Sequence, residues 1–351
     1  MKIIIGSRDS KLALIQTEMI KAQLLALEPN LEIEIIKVKS EGDLILDTPL
    51  AQIPQGDVKG LFTKELEHAL LAETIDMAVH SMKDLPTTLP AGLEIACTSK
   101  REDVRDVVCM SQRALHEGID HISKARVVGT SSPRRIAQLK RLYPQVEFKD
   151  MRGNLATRFR KLDVIASEGD QVIASNVTSS LRAQRSNPHA ATVGSPRGCA
   201  ARDDVMFDAI VLAAAGVKRQ GLEDRITQYL DPRQVLPAIG QGALAVEIKT
   251  TSAKSQRLRE LLASINSHED DLIVRGERAF LRALQGGCSA PVGIYAQLER
   301  ENLSYIASVT STDGTKELRA EISGSLNAAE TLGEQLAERM LADGAADLMS
   351  S

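Results

Sequence analysis

One carboxylate stands almost alone among cations in the segment Val79-His-Ser-Met-Lys-Asp84-Leu-Pro86. An apolar, strand-like run, Met77-Ala78-Val79, ends there in Ser81, Lys83 and Asp84. Loops after other apolar runs carry Arg8, Lys59, the pair Arg134-Arg135, Arg152 and Arg158. Brought together, these loops would form a cationic cleft holding one acid. Such a cleft suits a polyanionic substrate that develops positive charge as it reacts.

Lys83 beside Asp84 leaves three readings open. The two can be a surface ion pair of little energetic weight. Lys83 can be a Schiff-base lysine, which requires burial and a depressed pKa. Or Lys83 binds a carboxylate while Asp84, its charged form favoured by basic neighbours, acts as acid and counter-charge. A further candidate group is Cys288, in a Gly-Gly-Cys turn that lets something bulky approach an exposed thiol. The ordinary fate of a lone cysteine is burial as a small hydrophobe. No histidine stands near it in sequence to serve as its base.

The elements that must position these groups alternate between strand and helix patterns, which indicates an α/β protein. Lys2 to Ile5 reads as a buried strand followed by the loop Gly6 to Asp9. Ser10 then caps a helix with Leu12, Ile15, Met19 and Ala22 at helical spacing. Leu31 to Val38 alternates as a strand, and a second helix follows Gly60 with Phe62, Leu66 and Ala69 on one face. The pattern restarts near residue 107. Arg126 to Gly129 is a short strand, after which Ser132 caps a helix and Pro133 occupies its first turn. Arg152-Gly-Asn154 reads as another helix entry. Both halves thus repeat one device: strand, glycine, hydroxyl-rich loop, helix start with arginine. Free N–H groups and the helix dipole make such a start an anion site. Two facing lobes of this kind describe a hinged binding cleft. The strand Ala243 to Ile248 returns to the first lobe, and from His268 a small α+β domain begins.

The residues from Val164 to Met206 fit none of this. They repeat Val-Ile-Ala-Ser, then run through Ser, Asn, Pro, Gly and Arg with weak periodicity, like a translated repetitive element. A stretch of this kind reads as a surface insertion without catalytic role. Its Asn176-Val-Thr178 triplet is a chance sequon rather than a glycosylation site.

Composition narrows the function. The chain has 351 residues, a formal net charge of −4 and no Trp. Two or three domains are expected, and neither the charge nor the 3% aromatic content suits a nucleic-acid binder. No run approaches a membrane span, and Met-Lys-Ile-Ile-Ile-Gly is too short for a signal peptide. Cys97, Cys109, Cys199 and Cys288 are scattered, as in a cytoplasmic protein with reduced thiols, and no metal-ligand spacing occurs.

Several segments together resemble one family. They are Gly6-Ser-Arg-Asp-Ser-Lys-Leu-Ala-Leu14, Leu46-Asp-Thr-Pro-Leu50, Lys59-Gly-Leu-Phe-Thr-Lys-Glu-Leu66, Ala78-Val-His-Ser-Met-Lys-Asp84, Val128-Gly-Thr-Ser-Ser-Pro-Arg-Arg135, Arg152-Gly-Asn154, Leu236-Pro-Ala-Ile-Gly-Gln-Gly242 and Gly286-Gly-Cys288. In this order they are similar to the porphobilinogen deaminases, also called hydroxymethylbilane synthases, across nearly the whole chain. The resemblance implies two lobes hinged like a type II periplasmic binding protein and a small C-terminal domain. The expected divisions are 1–103 with 240–263, then 104–239, then 264–351.

The resemblance also implies a dipyrromethane cofactor, built from substrate and thioether-linked to Cys288. On that primer four porphobilinogen units join head to tail, each releasing ammonia, and water frees the linear hydroxymethylbilane. Asp84 would be the catalytic group. Lys83, Ser132, Arg134, Arg135 and Asp84 would hold the cofactor. Arg8, Ser10, Lys59, Phe62, Ser81, Thr130, Arg152 and Arg158 would bind substrate, Phe62 flanking the ring. A monomer that hands its product to the next enzyme of the pathway is expected. Two departures stand out: Pro133 where the family has an aliphatic residue, and the long Val164 to Met206 segment. A polycarboxylate-binding module without catalysis, and a pyridoxal-phosphate enzyme using Lys83, are the competing readings.

Overall fold

The computed structural model describes residues 1–38, 63–163, 205–285 and 291–350. Lys59, Phe62, Cys288, the Leu46 to Leu50 segment and nearly all of the Val164 to Met206 segment lie outside the described residues.

The first lobe begins with β1 (Lys2–Arg8), α1 (Lys11–Leu27) and β2 (Glu32–Val38). After α2 (Lys64–Leu71) come β3 (Met77–Ser81) and β4 (Leu93–Thr98). The chain then enters the second lobe with β5 (Asp106–Met110), α3 (Gln112–His116), β6 (Val127–Gly129), α4 (Pro133–Leu142), β7 (Glu147–Lys149) and α5 (Leu155–Leu162). That lobe continues with β8 (Ala209–Ala213), α6 (Ala214–Arg219) and β9 (Gln228–Tyr229). The chain returns to the first lobe with β10 (Leu244–Lys249) and α7 (Ser255–Ala263). Helix α8 (His268–Ala283), β11 (Val292–Glu299), β12 (Asn302–Thr310), β13 (Glu317–Ser325), α9 (Ala329–Ala342) and α10 (Ala345–Ser350) build the rest.

Each lobe holds a five-stranded sheet, ordered β2-β1-β3-β10-β4 in the first and β7-β6-β8-β5-β9 in the second. In both, the fourth strand runs antiparallel to its neighbours and arrives from the other lobe. This exchange gives two crossings, residues 99–105 and 230–243. They lie side by side: Ser99 N–H donates to Leu244 O and Glu102 N–H to Gly242 O. Gly242 has φ +95°, and a Cβ there would run into the Glu102 carbonyl, so a side chain would push the crossings apart. The two-lobed, hinged α/β architecture expected from the sequence is present.

Strand β3 explains how the first lobe presents its chemistry. Met77 and Val79 face the core beneath α1 and α7, with Ile3, Ile5, Val246, Leu258 and Leu262. Ala78 faces Leu66 and Leu70 of α2. With both faces buried, the strand projects its end, Ser81, out of the sheet. A fully buried aliphatic side chain contributes roughly 1.5–3 kcal/mol, so this core fixes β3 firmly.

Helix α1 corrects an expectation. Its buried side chains are Ala13, Gln16, Thr17, Ile20 and Leu24, whereas Met19 is 39% exposed and Ala22 is also exposed. The helix is apolar on most sides, so spacing alone picked the outer stripe. Polar Gln16 and Thr17 take inner positions because they find partners there, Ser81 Oγ and Ala13 O. Strand β1 also runs on through Gly6, Ser7 and Arg8, where a loop was expected, because β2 pairs with it as far as Val38.

The last three strands form an antiparallel sheet, β11-β12-β13, covered by α8 and α9. Those helices cross closely at Gly276 and Gly333, where a Cβ on either would strike the opposing backbone or Tyr305. Among the described residues, no helix is long and apolar enough to cross a membrane.

Candidate active site

Ser81, Lys83 and Asp84 lie where β3 runs into a single 3-10 turn, Met82–Asp84. Buried Met82 anchors that turn, with its N–H donating to Ala243 O. Lys83 is therefore half-buried and Asp84 exposed to the interlobe space. Ser81 Oγ exchanges hydrogen bonds with the Gln16 side chain. Arg8 ends β1 next to this turn, and Ser10 caps α1 by accepting the Ala13 N–H.

The second lobe answers from two helix starts. Ser132 caps α4 with Pro133 in the first turn, as the sequence predicts. The Pro133 departure thus reinforces the helix start. Thr130 is buried, and its hydroxyl accepts the Ser132 N–H. Asn154 caps α5, again as expected, accepting the Thr157 N–H. Arg158 donates Nε to Gly153 O, which turns its guanidinium back toward the helix start.

The lobes meet electrostatically. Burial pulls the Lys83 ammonium down to about 8; Arg135 and Arg134 pull the same way, and Asp84 and Asp106 oppose them. Burial lowers Arg158 to about 10, with Arg135 and Arg152 adding to the effect and Asp150 and Asp84 resisting it. Both side chains retain some exposed area, so water still reaches them, but enough protein surrounds each to disfavour its charge. Asp84 of the first lobe and Arg135, Arg152 and Arg158 of the second therefore share one field.

Two arginines carry donors without a protein partner. Buried Arg135 leaves Nε unpaired, and buried Arg152 leaves Nη1 unpaired, among the described residues. Unpaired charged donors in a protein interior are costly. A group rich in carboxylates would satisfy them, so the residues present fit a propionate- and acetate-bearing cofactor.

Sequence reasoning missed one member of the site. Asp106 is fully buried and accepts Arg134 Nη2 at 2.8 Å, Arg135 Nη2 at 2.8 Å and Gln241 Nε2 at 2.9 Å. Burial alone would raise its pKa. The two guanidiniums outweigh that and hold it well below the usual carboxylate range. The available signal was a charged residue opening the apolar run Val107-Val108-Cys109-Met110.

Among the described residues no group of three or more His, Cys, Asp or Glu could hold a metal ion. Cys97 and Cys109 are free and buried, and burial pushes both thiols up to about 12.

The family model for the porphobilinogen deaminase dipyromethane cofactor binding domain matches residues 3–188 and 197–257. That for the porphobilinogen deaminase C-terminal domain matches residues 272–342. Curated relatives named porphobilinogen deaminase agree. The protein from Syntrophobacter fumaroxidans is 41% identical over 97% of this chain and 94% of its own length. That from Prochlorococcus marinus strain AS9601 is 39% identical over 99% of this chain and 96% of its own. Among solved structures, the methionine-binding protein MetQ aligns over 77% of this chain and 92% of that chain, at 8% identity and a TM-score of 0.41. This last likeness is slight, and the topology stands without it. Matched along nearly its whole length, the chain belongs to the porphobilinogen deaminase family.

Proposed function

We propose that the interlobe cleft joins four porphobilinogen units head to tail, releasing ammonia at each addition, with Asp84 as the catalytic residue. The observation that carries this assignment is that exposed Asp84 of the first lobe acts on Arg158 of the second, beside Arg135 and Arg152 and with Asp150 as the other carboxylate felt there. Each pyrrole unit brings an acetate and a propionate, so a growing chain needs many cationic partners. Arg135, Arg152 and Arg158 supply them from the second lobe, and Arg8 and Lys83 from the first. Ser10, Ser81, Thr130 and Ser132 add hydrogen bonds. Lys59 and Phe62 join the substrate side on the family pattern.

The dipyrromethane group, when bound through Cys288, supplies the nucleophilic pyrrole position to which the first unit is joined. Lys83, Ser132 and Arg135 would hold its carboxylates. Loss of ammonia from porphobilinogen leaves a cation shared with the ring nitrogen. Asp84 would stabilise that cation and move a proton at the ring nitrogen. Where bound substrate displaces water from the cleft, the Asp84 charge would count for more than in bulk solvent. Arginines at a distance from the reacting carbon keep the ring oriented through its side chains.

The division of labour follows the two lobes, 1–103 with 240–263 and 104–239, with residues 264–351 carrying Cys288. The chain works as a cytoplasmic monomer and passes hydroxymethylbilane to the next enzyme. The intact mass of the denatured protein tests the cofactor: extra mass equal to a dipyrromethane is expected, and lost in Cys288→Ala. An active wild type with no added mass would remove the cofactor from the reading. For Asp84, Asp84→Asn is expected to fold and keep the added mass while turnover falls by a factor of roughly 10²–10⁴. A near-normal rate would take Asp84 out of the chemistry.

A further inference from the structure

Arg134 and Arg135 are adjacent, yet they face different tasks. Arg134 donates Nη1 to Leu236 O at 2.5 Å and Nη2 to Asp106 Oδ2 at 2.8 Å. Both of its Nη atoms bond inside the protein, and the residue is 5% exposed. Arg135 donates Nη1 to Val211 O and Nη2 to Asp106 Oδ1, and keeps a free Nε. Its charge acts on both Lys83 and Arg158. The two differ in that Arg135 alone keeps a buried Nε without a partner among the described residues and acts on Arg158 as well as Lys83.

We propose that Asp106 is a positioning residue for the deaminase reaction, a permanent counter-ion that fixes Arg135 at the start of α4 and ties it to both interlobe crossings. Two guanidiniums on one helical turn repel each other, and Lys83 and Arg158 add to the repulsion. A substrate carboxylate cannot be their lasting counter-ion, because the product chain must leave. Asp106 can, because it is sealed from solvent and opens β5, directly after the outward crossing. Gln241 on the return crossing bonds the same Oδ1 that Arg135 uses, and also bonds Val104 O. One carboxylate oxygen thus holds the cleft arginine and the hinge in register. Asp84 and Asp106 divide the work: the exposed acid meets substrate, and the sealed one orders the cations.

This assignment rests on the reading of Arg135 as a ligand for pyrrole carboxylates. The test compares wild type, Asp106→Asn and the charge-balanced double variant Asp106→Asn/Arg134→Gln. Each is measured for porphobilinogen KM and kcat across pH, intact mass and thermal midpoint. Asp106→Asn should raise KM roughly tenfold, the usual effect of losing one charged hydrogen bond, with a smaller change in kcat. Losing the Asp106 charge leaves Lys83 facing Arg134 and Arg135 with only Asp84 to offset them, so the alkaline limb should fall by about half a pH unit. Removing the Arg134 charge as well should move the limb back toward its wild-type place, which no loss of mere stability would do. An unchanged limb and KM in folded Asp106→Asn would overturn the proposal, as would losses that track only the thermal midpoint. Should the single variant not fold, the double variant decides: a limb near the wild-type position supports the assignment, and a limb displaced below it overturns it. A wild type without turnover or added mass would instead defeat the deaminase reading itself.

Discussion

Arg101 and Glu277 join the hinge to the C-terminal domain through two parallel hydrogen bonds, of 2.6 and 3.1 Å. Arg101 lies on the outward crossing and also donates Nε to Gln241 O on the return crossing. Glu277 is completely buried on α8 and accepts the Gly240 N–H at 2.7 Å. Both crossings therefore converge on one carboxylate of the third domain. Glu277→Gln strands a buried guanidinium, so chemical denaturation should register a loss of about 3–5 kcal/mol. A loss below 1 kcal/mol would mean that this contact is solvated and that the domain is held elsewhere.

The charge on Lys83 sets an expected upper limit for activity. Its ammonium titrates at about 8 because burial disfavours it, whereas Arg158 keeps its charge to about 10. With carboxylate binding dependent on charged Lys83, kcat/KM should be full below pH 8 and decline above it. Lys83→Arg carries a charge that persists in this range, so its profile should stay level until near pH 10. A limb near pH 8 that survives in Lys83→Arg would belong to another group. Stability has the opposite sign: the unfolded chain holds the Lys83 proton up to about pH 10.4, so this group destabilises the fold below pH 8 and ceases to do so as pH rises through that window.

What the sequence made legible was local. Ser132, Pro133 and Asn154 announce helix starts through neighbours a few residues away, and all three cap or open helices as read. Asp84 and Lys83 stood out as candidates because charge is conspicuous after an apolar strand. Asp106, Arg101 and Glu277 were not, because their partners lie far along the chain: Arg101 and Glu277 are 176 residues apart. Convergence of this kind is a property of the crossing topology, which no local pattern records. The α1 face was misread for a related reason, since Gln16 is inside only because Ser81 arrives from β3 to meet it.

The buried cluster beneath β3 offers a pH-dependent test of stability. His80 Nε2 lies 3.1 Å from Glu247 Oε2, and Glu67 packs nearby from α2. Burial raises the Glu67 pKa and Glu247 raises it further, while the Thr63 hydroxyl, His80 and His68 oppose them. A raised carboxyl pKa means that the native state binds a proton more tightly than the unfolded chain. Stability from that proton is present below the unfolded value and lost as pH climbs through the folded one. Glu67→Gln, which cannot ionise, should therefore melt higher than wild type at pH 8 and close to it at pH 4. A lower midpoint at pH 8 would show that the Glu67 charge is welcome there.

Asp208 supplies the reverse case in the second lobe. It is 1% exposed and accepts the Arg126 N–H at 2.7 Å, the Val127 N–H at 3.2 Å and Arg113 Nη2 at 2.5 Å. Burial would raise its pKa, but Arg126, Arg113 and the backbone donors hold it down to about 2. The ionised form thus stabilises the fold fully above the unfolded value near 4, and that contribution disappears as pH falls toward 2. Asp208 also stitches the start of β6 to the residues leading into β8, so its carboxylate fixes the strand that leads to Thr130. Asp208→Asn should cost about 2 kcal/mol at pH 7 by denaturant titration, with the gap to wild type narrowing below pH 3. A gap that stays constant down to pH 2 would mean that shape at this position matters and charge does not.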